Sequence, residues 1–200
     1  MESGAAIEVN VIAKRLCLVH RDLMPALCGL VRRGRAPDDL EDLTLNARAA
    51  YRVVREHTET TAGRLRKQLG LPTGGKADPA YEILGELQRA LLVDRGPFEA
   101  RGSGVPYLSK DGYPYHLFHV VHGDLVNQAK KVNLTGAATE FLRRYLDATT
   151  FCHVRKMESM FHQFLRSEEI DAALAALVEQ LAVMLAGKGR APVAVSRRGN

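Results

Sequence analysis

The sequence predicts a mainly α protein with small β-hairpins, an α+β chain in which one pattern of elements is laid down twice. Three observations lead there. Apolar residues recur at helical spacing in segment after segment, and most of these segments begin at a capping residue. The stretch around residues 91–121, and the one beyond residue 181, are instead rich in Gly, Pro, aromatic and β-branched residues, which marks strands and hairpin turns. The order of helices, then a strand, then a hairpin occurs in residues 43–123 and again in 124–195.

Residues 1–42 read as a helical segment packing on the core. Ile12, Leu16 and Val19 share one helical stripe, and Pro25 opens a second helix whose apolar side is Leu27, Leu30 and Val31. Gly, Pro and acidic residues make 34–42 a linker. The helix over 43–56 has Thr44 as its N-cap and buries Ala50, Val53 and Val54. Thr60 or Thr61 caps a short helix that runs to Leu69, and Gly70 ends it in a left-handed residue. Asp78 caps the third helix with Pro79 at its first position, and Ile83, Leu84, Leu87 and Leu91 point inward. The run Leu91–Val93 is a strand, and the aromatic stretch to Val121 is hairpin material.

The second copy begins with a helix over 133–150, capped by Thr135, with Phe141, Leu142 and Tyr145 apolar. A second helix over 150–165 buries Val154, Met157, Met160 and Phe161. A third, over 167–180, starts on a capping signal from Ser167 with acids in its first turn. A strand near 181–187 and a wing turning into a last strand complete it, and residues 196–200 form a basic tail. In the first copy a short second helix and a turn precede the third helix, and the order of elements recurs in the second. The expected architecture is therefore tandem winged helix-turn-helix modules, 43–123 and 124–195, with an N-terminal helical cap.

Composition narrows the function. Of 200 residues, 46% are hydrophobic and 26% charged, which suits a folded chain with a buried core. The net charge of +5 permits nucleic-acid binding without demonstrating it. Cys17, Cys28 and Cys152 are odd in number and scattered, with no CxxC pair, so neither a zinc site nor a disulfide framework is expected. A reduced, cytoplasmic setting fits, with no signal peptide and no apolar run long enough to span a membrane.

Three patterns invite chemistry and are set aside. His116, His119 and His122 are spaced by threes, but on a strand the middle ring points to the opposite face, so no metal is expected. Cys152 and His153 are neighbours on an expected helix and diverge by about 100°, which makes no nucleophile–base pair. The Gly74–Lys76 run lacks both the preceding strand and the Ser or Thr of a phosphate loop. No cofactor is expected.

The segments Leu45–Leu71 and Tyr81–Gly96 carry an alanine-rich helix (Ala47 to Val54), a Thr61-to-Leu71 turn, then Tyr81 and Leu84 to Gln88 before a strand. With the later aromatic stretch "YPYHLFHVVHGDL", this resembles the bacterial DNA glycosylases that unhook interstrand crosslinks, a tandem winged-helix family, and most of all its short glycosylase-related members. The resemblance spans roughly residues 10 to 185. It implies a DNA-binding scaffold. It does not imply the family's activity, because the paired QxQ or QxD motif of those enzymes is absent: none of Gln68, Gln88, Gln128, Gln163 and Gln180 has Gln or Asp two residues later.

The residues expected to meet DNA are basic. Arg64, Arg66 and Lys67 lie on the second helix of the first module, Lys76 precedes its third helix, and Arg89 lies on that helix. Arg95, Arg101 and Lys110 flank or lie in the wing, and Arg155 and Lys156 lie on the second helix of the second module. Such residues hold phosphates and supply affinity without sequence information. The third helices argue against a repressor with a basic reading head: Glu82 and Glu86 share an outward face with Gly85 and Arg89, and the other third helix carries Glu168, Glu169, Asp171 and Glu179. The leading expectation is a non-enzymatic DNA-binding protein, in repair or regulation, that contacts mainly the backbone. A winged-helix module for protein interaction or a structural role, including a homodimer or a protein partner, is the alternative, and a glycosylase stands third.

Overall fold

The computed structural model describes residues 5–73, 78–95, 112–187 and 193–196. The expected wing residues Arg101 and Lys110, the turn lysine Lys76 with the rest of the Gly74–Lys76 run, and residues 197–200 of the basic tail lie outside them, while Ser196 ends a strand. The chain is α+β, mainly helical with small antiparallel sheets. Two compact units divide it: a first of residues 8–10 and 35–123, and a second of residues 1–7, 11–34 and 124–200. No helix among the described residues is long and apolar enough to cross a membrane.

The N-terminal segment departs from expectation. Residues 12–19 form no helix. Instead β1 (Ala6–Val9) and β2 (Cys17–His20) make a two-stranded sheet, joined by a turn in which Ala13 and Lys14 take positive φ. The alternation of Ile7, Val9 and Val11 with Glu8 and Asn10 decides this: the three apolar residues are buried, whereas of the expected stripe only Val19 is buried and Leu16 is exposed. The helix at Pro25 does form, as α1 (Met24–Arg32), burying Leu27, Leu30 and Val31.

In the first unit, α2 (Leu45–His57) begins at Thr44, whose hydroxyl oxygen accepts from the Ala47 N–H at 3.2 Å. Thr58 turns left-handed, and β3 (Glu59–Thr61) leads into α3 (Ala62–Leu69), capped by Thr61 and ended by Gly70 at φ 62°. Asp78 caps α4 (Pro79–Arg89). The chain then turns at Leu91, and the strand runs two residues later than expected, as β4 (Val93–Arg95). The strand β5 (Pro114–Leu117) lies between β3 and β4, antiparallel to both. Tyr51, Val54, Leu65, Leu84, Leu87 and Tyr115 fill the core. The aromatic stretch does not stay extended to Val121: at Phe118 it coils into α5 (Phe118–Val121), because the Phe118 N–H donates to the Leu92 carbonyl and draws its ring into the core. Another helix that the sequence did not announce, α6 (Gly123–Ala129), follows.

The second unit repeats the order. Its long helix α7 (Leu134–Thr149) is capped by Asn133, which accepts from the Thr135 N–H at 3.0 Å; Thr135, the expected cap, is already inside. The expected single helix over 150–165 is broken by Thr150 at φ 69° into β6 (Phe151–His153) and α8 (Val154–Phe161), with Met160 only half-buried. Arg166, not Ser167, is the N-cap of α9 (Ser167–Glu179), and the Glu169 carboxylate accepts its N–H at 2.8 Å. The strands β7 (Val183–Ala186) and β8 (Val193–Ser196) finish the unit in the order β6-β8-β7, the same arrangement as β3-β5-β4. The helix α7 packs on α1 and α9. Phe161 sits at the centre, its ring edge-on to Phe141 at 5.2 Å and to Tyr145 at 5.0 Å.

Candidate nucleic-acid interface

The helices α3 and α8, the expected second helices of the two modules, show the same division of labour. In α3, Ala62 and Leu65 are buried while Arg64 and Lys67 stand exposed. In α8, Val154 and Met157 are buried while Arg155 and Lys156 stand exposed. Helical spacing forces this, since residues three apart anchor one face and the intervening bases fall on the other. None of these four cations forms an ion pair among the described residues, so each keeps its full charge for an anion.

Other expected contacts are engaged internally. Arg66 holds Asp78, Nη2 to Oδ2 at 2.5 Å, and lies 5.9 Å from the centre of the Tyr81 ring. This guanidinium is the main reason the Asp78 carboxyl stays below its ordinary pKa, so the α4 cap remains ionised. Arg95 holds Glu8 at 2.5 Å and lies 4.2 Å over the Tyr113 ring. Arg89 is half-buried, and its Nη1 would be 3.2 Å from a Cβ placed on Gly85. Arg66 thus ties α3 to the N-cap of α4, and Arg95 ties β4 to Glu8 of β1. Among the other bases, Arg143 and Arg144 are tied to Glu140, and Arg143 also to Asp147.

The third helices are less acidic outward than the sequence suggests. Gly85 is buried. Both oxygens of Glu86 are held by Thr44, Oε1 accepting from its N–H at 2.7 Å and Oε2 from its hydroxyl at 2.8 Å. In the second unit Glu169 takes a two-pronged contact from Arg33, at 2.7 and 2.8 Å, while the same guanidinium donates to the Phe164 carbonyl at 2.9 Å. That contact is the main reason the Glu169 carboxyl falls to about 2. Glu82 remains exposed on α4, and Glu168, Asp171 and Glu179 on α9. No rule of local sequence could have found these two ties, which span 42 and 136 residues.

The set-aside patterns resolve as follows. His116 lies in β5, 3.9 Å from Glu59, His119 in α5, and His122 at the end of α5, where its Nε2 meets buried Asp94 at 2.7 Å. The three rings do not share a strand, correcting that expectation: the helical turn at Phe118 separates them. No group of three or more His, Cys, Asp or Glu among the described residues is placed to hold a metal. Cys152 is buried near the Tyr145 hydroxyl at 3.5 Å, and His153 is exposed. Both lie on a strand rather than a helix, where neighbouring side chains face opposite ways. Burial pushes the Cys28 thiol up to about 12, away from reactivity.

No family model matches the chain. No curated protein matches it, and no solved structure does.

Proposed function

We propose that the chain is a DNA-binding protein of tandem winged helix-turn-helix type, which grips the phosphate backbone and carries out no reaction on it. The observation that carries this reading is the pair of exposed bases, without an ion pair among the described residues, on each of α3 and α8: Arg64 with Lys67 and Arg155 with Lys156. The matching strand order of the two sheets, with the last strand in the middle, supports winged-helix modules. The ion pair of Glu169 with Arg33 supports it too, because the guanidinium offsets one carboxylate that would otherwise repel phosphates. Backbone grip is favoured over base reading: no Arg or Lys stands exposed on α4 or α9.

Fluorescence anisotropy of a labelled random duplex at two salt concentrations tests this. Binding that weakens steeply with salt is the expected result. No binding at low salt would overturn it and favour the second reading, a module for protein interaction. That reading draws on the exposed acids of α9 and on apolar side chains left open at the end of the same unit.

A further inference from the structure

The two units serve as each other's reference. Their backbones match at unusual places: Thr58 and Thr150 take φ 59° and 69° before the first strand, and Leu91 and Leu181 take φ 51° and 55° before the second. Counting from that leucine pair, Gln88, Leu91, Asp94 and Arg95 of the first unit correspond to Val178, Leu181, Met184 and Leu185 of the second. Their surroundings differ sharply. In the first unit Gln88, Leu91 and Asp94 are 7%, 5% and 7% exposed. There, His122 from the end of α5 closes over Asp94, and Glu8 and Tyr113 hold Arg95. In the second unit Val178, Leu181, Met184 and Leu185 are 37%, 67%, 44% and 45% exposed.

A leucine in the left-handed region costs strain, because its Cβ crowds the following carbonyl oxygen. Burial of Leu91 offsets that cost; Leu181 carries the same backbone with its side chain in water. The neighbouring strand β7 is the sheet's edge, and its sequence Val183-Met184-Leu185-Ala186 holds no charge and no proline, the devices that normally keep an edge from pairing. The counterpart edge β4 carries Asp94 and Arg95, both engaged. On the outer face of the second unit's sheet, Phe151, Val195 and Met184 form one apolar row that runs out to this open edge.

We propose that β7 is the seam of a homodimer, pairing antiparallel with β7 of a second copy to join two three-stranded sheets into one of six strands. A second copy is the occupant because a two-fold contact requires a surface complementary to itself. An uncharged strand meets that requirement with no like charges across the seam. Residues opposite each other in an antiparallel pair share a face, so a dyad at Met184 runs the Phe151–Val195–Met184 row on into its symmetry mate. Val178 and Leu181 then close against the partner beside the seam. The inference stands whether or not the chain binds DNA.

Sedimentation equilibrium of the full chain, from low micromolar concentration upward, tests it. The expected mass rises from the 22.0 kDa of one chain to twice that. Met184→Lys and Leu185→Glu, each at an exposed position, should weaken the dimer by at least about a hundredfold through like charges at the seam, with unchanged circular dichroism. Hydrogen exchange provides a readout free of substitution: β7 amides should slow as the concentration of the unaltered chain rises. A single-chain mass at every concentration would overturn the proposal, and so would a dimer that neither variant weakens or a β7 exchange rate indifferent to concentration.

Discussion

Replacing Arg64 and Lys67 together by alanine tests the backbone-grip reading most directly. Each phosphate neutralised on a duplex contributes about 0.9 to the slope of log affinity against log salt. With one phosphate for each of Arg64, Lys67, Arg155 and Lys156, the intact chain should show a slope of about −3.6. Affinity would then fall roughly 150-fold as salt rises fourfold, from about 50 to about 200 mM. The double variant should show a slope of about −1.8 and a fall of roughly 12-fold over the same range. Both side chains are exposed and form no ion pair among the described residues, so the variant should melt with the parent, and lost binding cannot be ascribed to unfolding. Arg155→Ala with Lys156→Ala should behave alike. The assay is anisotropy titration of a labelled duplex across a salt series. A slope that neither double variant changes would refute the assignment of these bases to phosphates, even if the chain binds DNA.

The remaining predictions concern what holds the units in shape. Glu169→Gln should destabilise the protein by about 1–2 kcal/mol, since it breaks a half-buried, two-pronged ion pair with Arg33. Because the folded-state pKa lies at about 2, below the ordinary 4.5, the pair stabilises fully above the ordinary value and loses its contribution as pH falls from 4.5 toward 2. Thermal melts across that window should show the dependence in the parent and a flatter one in the variant. Thr44→Ala should cost about 1 kcal/mol for the lost cap and more than Thr61→Ala, because only Thr44 also holds Glu86; melting temperatures compare the two. Phe161→Ala should cost about 3–5 kcal/mol in urea unfolding, as it empties the centre of the second unit. A loss below about 1 kcal/mol would show that Phe141 and Tyr145 collapse into the space.

Helix ends were legible wherever a cap acts on its own neighbours. Thr44, Thr61, Gly70, and Asp78 with Pro79 were all readable, because a hydroxyl or carboxylate reaching an N–H two or three residues on needs no distant partner. The same logic misplaced Thr135 and Ser167 by one or two residues, since Asn133 and Arg166 are the residues with extended backbone. The strands β3 and β6 escaped notice: three residues are too few for a period of two to show. Of the expected contact residues, exposure singled out Arg64, Lys67, Arg155 and Lys156, while Arg66 and Arg95 proved to be engaged by Asp78 and Glu8.

Local chemistry thus determined from the chain alone where most helices begin, which of their faces turn inward and that the pattern runs twice, because each depends on residues within a turn or two of one another. Tertiary structure decided which charges remain available. Glu86 and Glu169 look alike to their exposed neighbours in the sequence and differ only in meeting Thr44 and Arg33 across the fold. It also decided that one leucine of a matched pair is covered and the other is not. A side chain's availability depends on what the rest of the chain brings within about 3–4 Å of it, and spacing along the sequence carries no record of that distance.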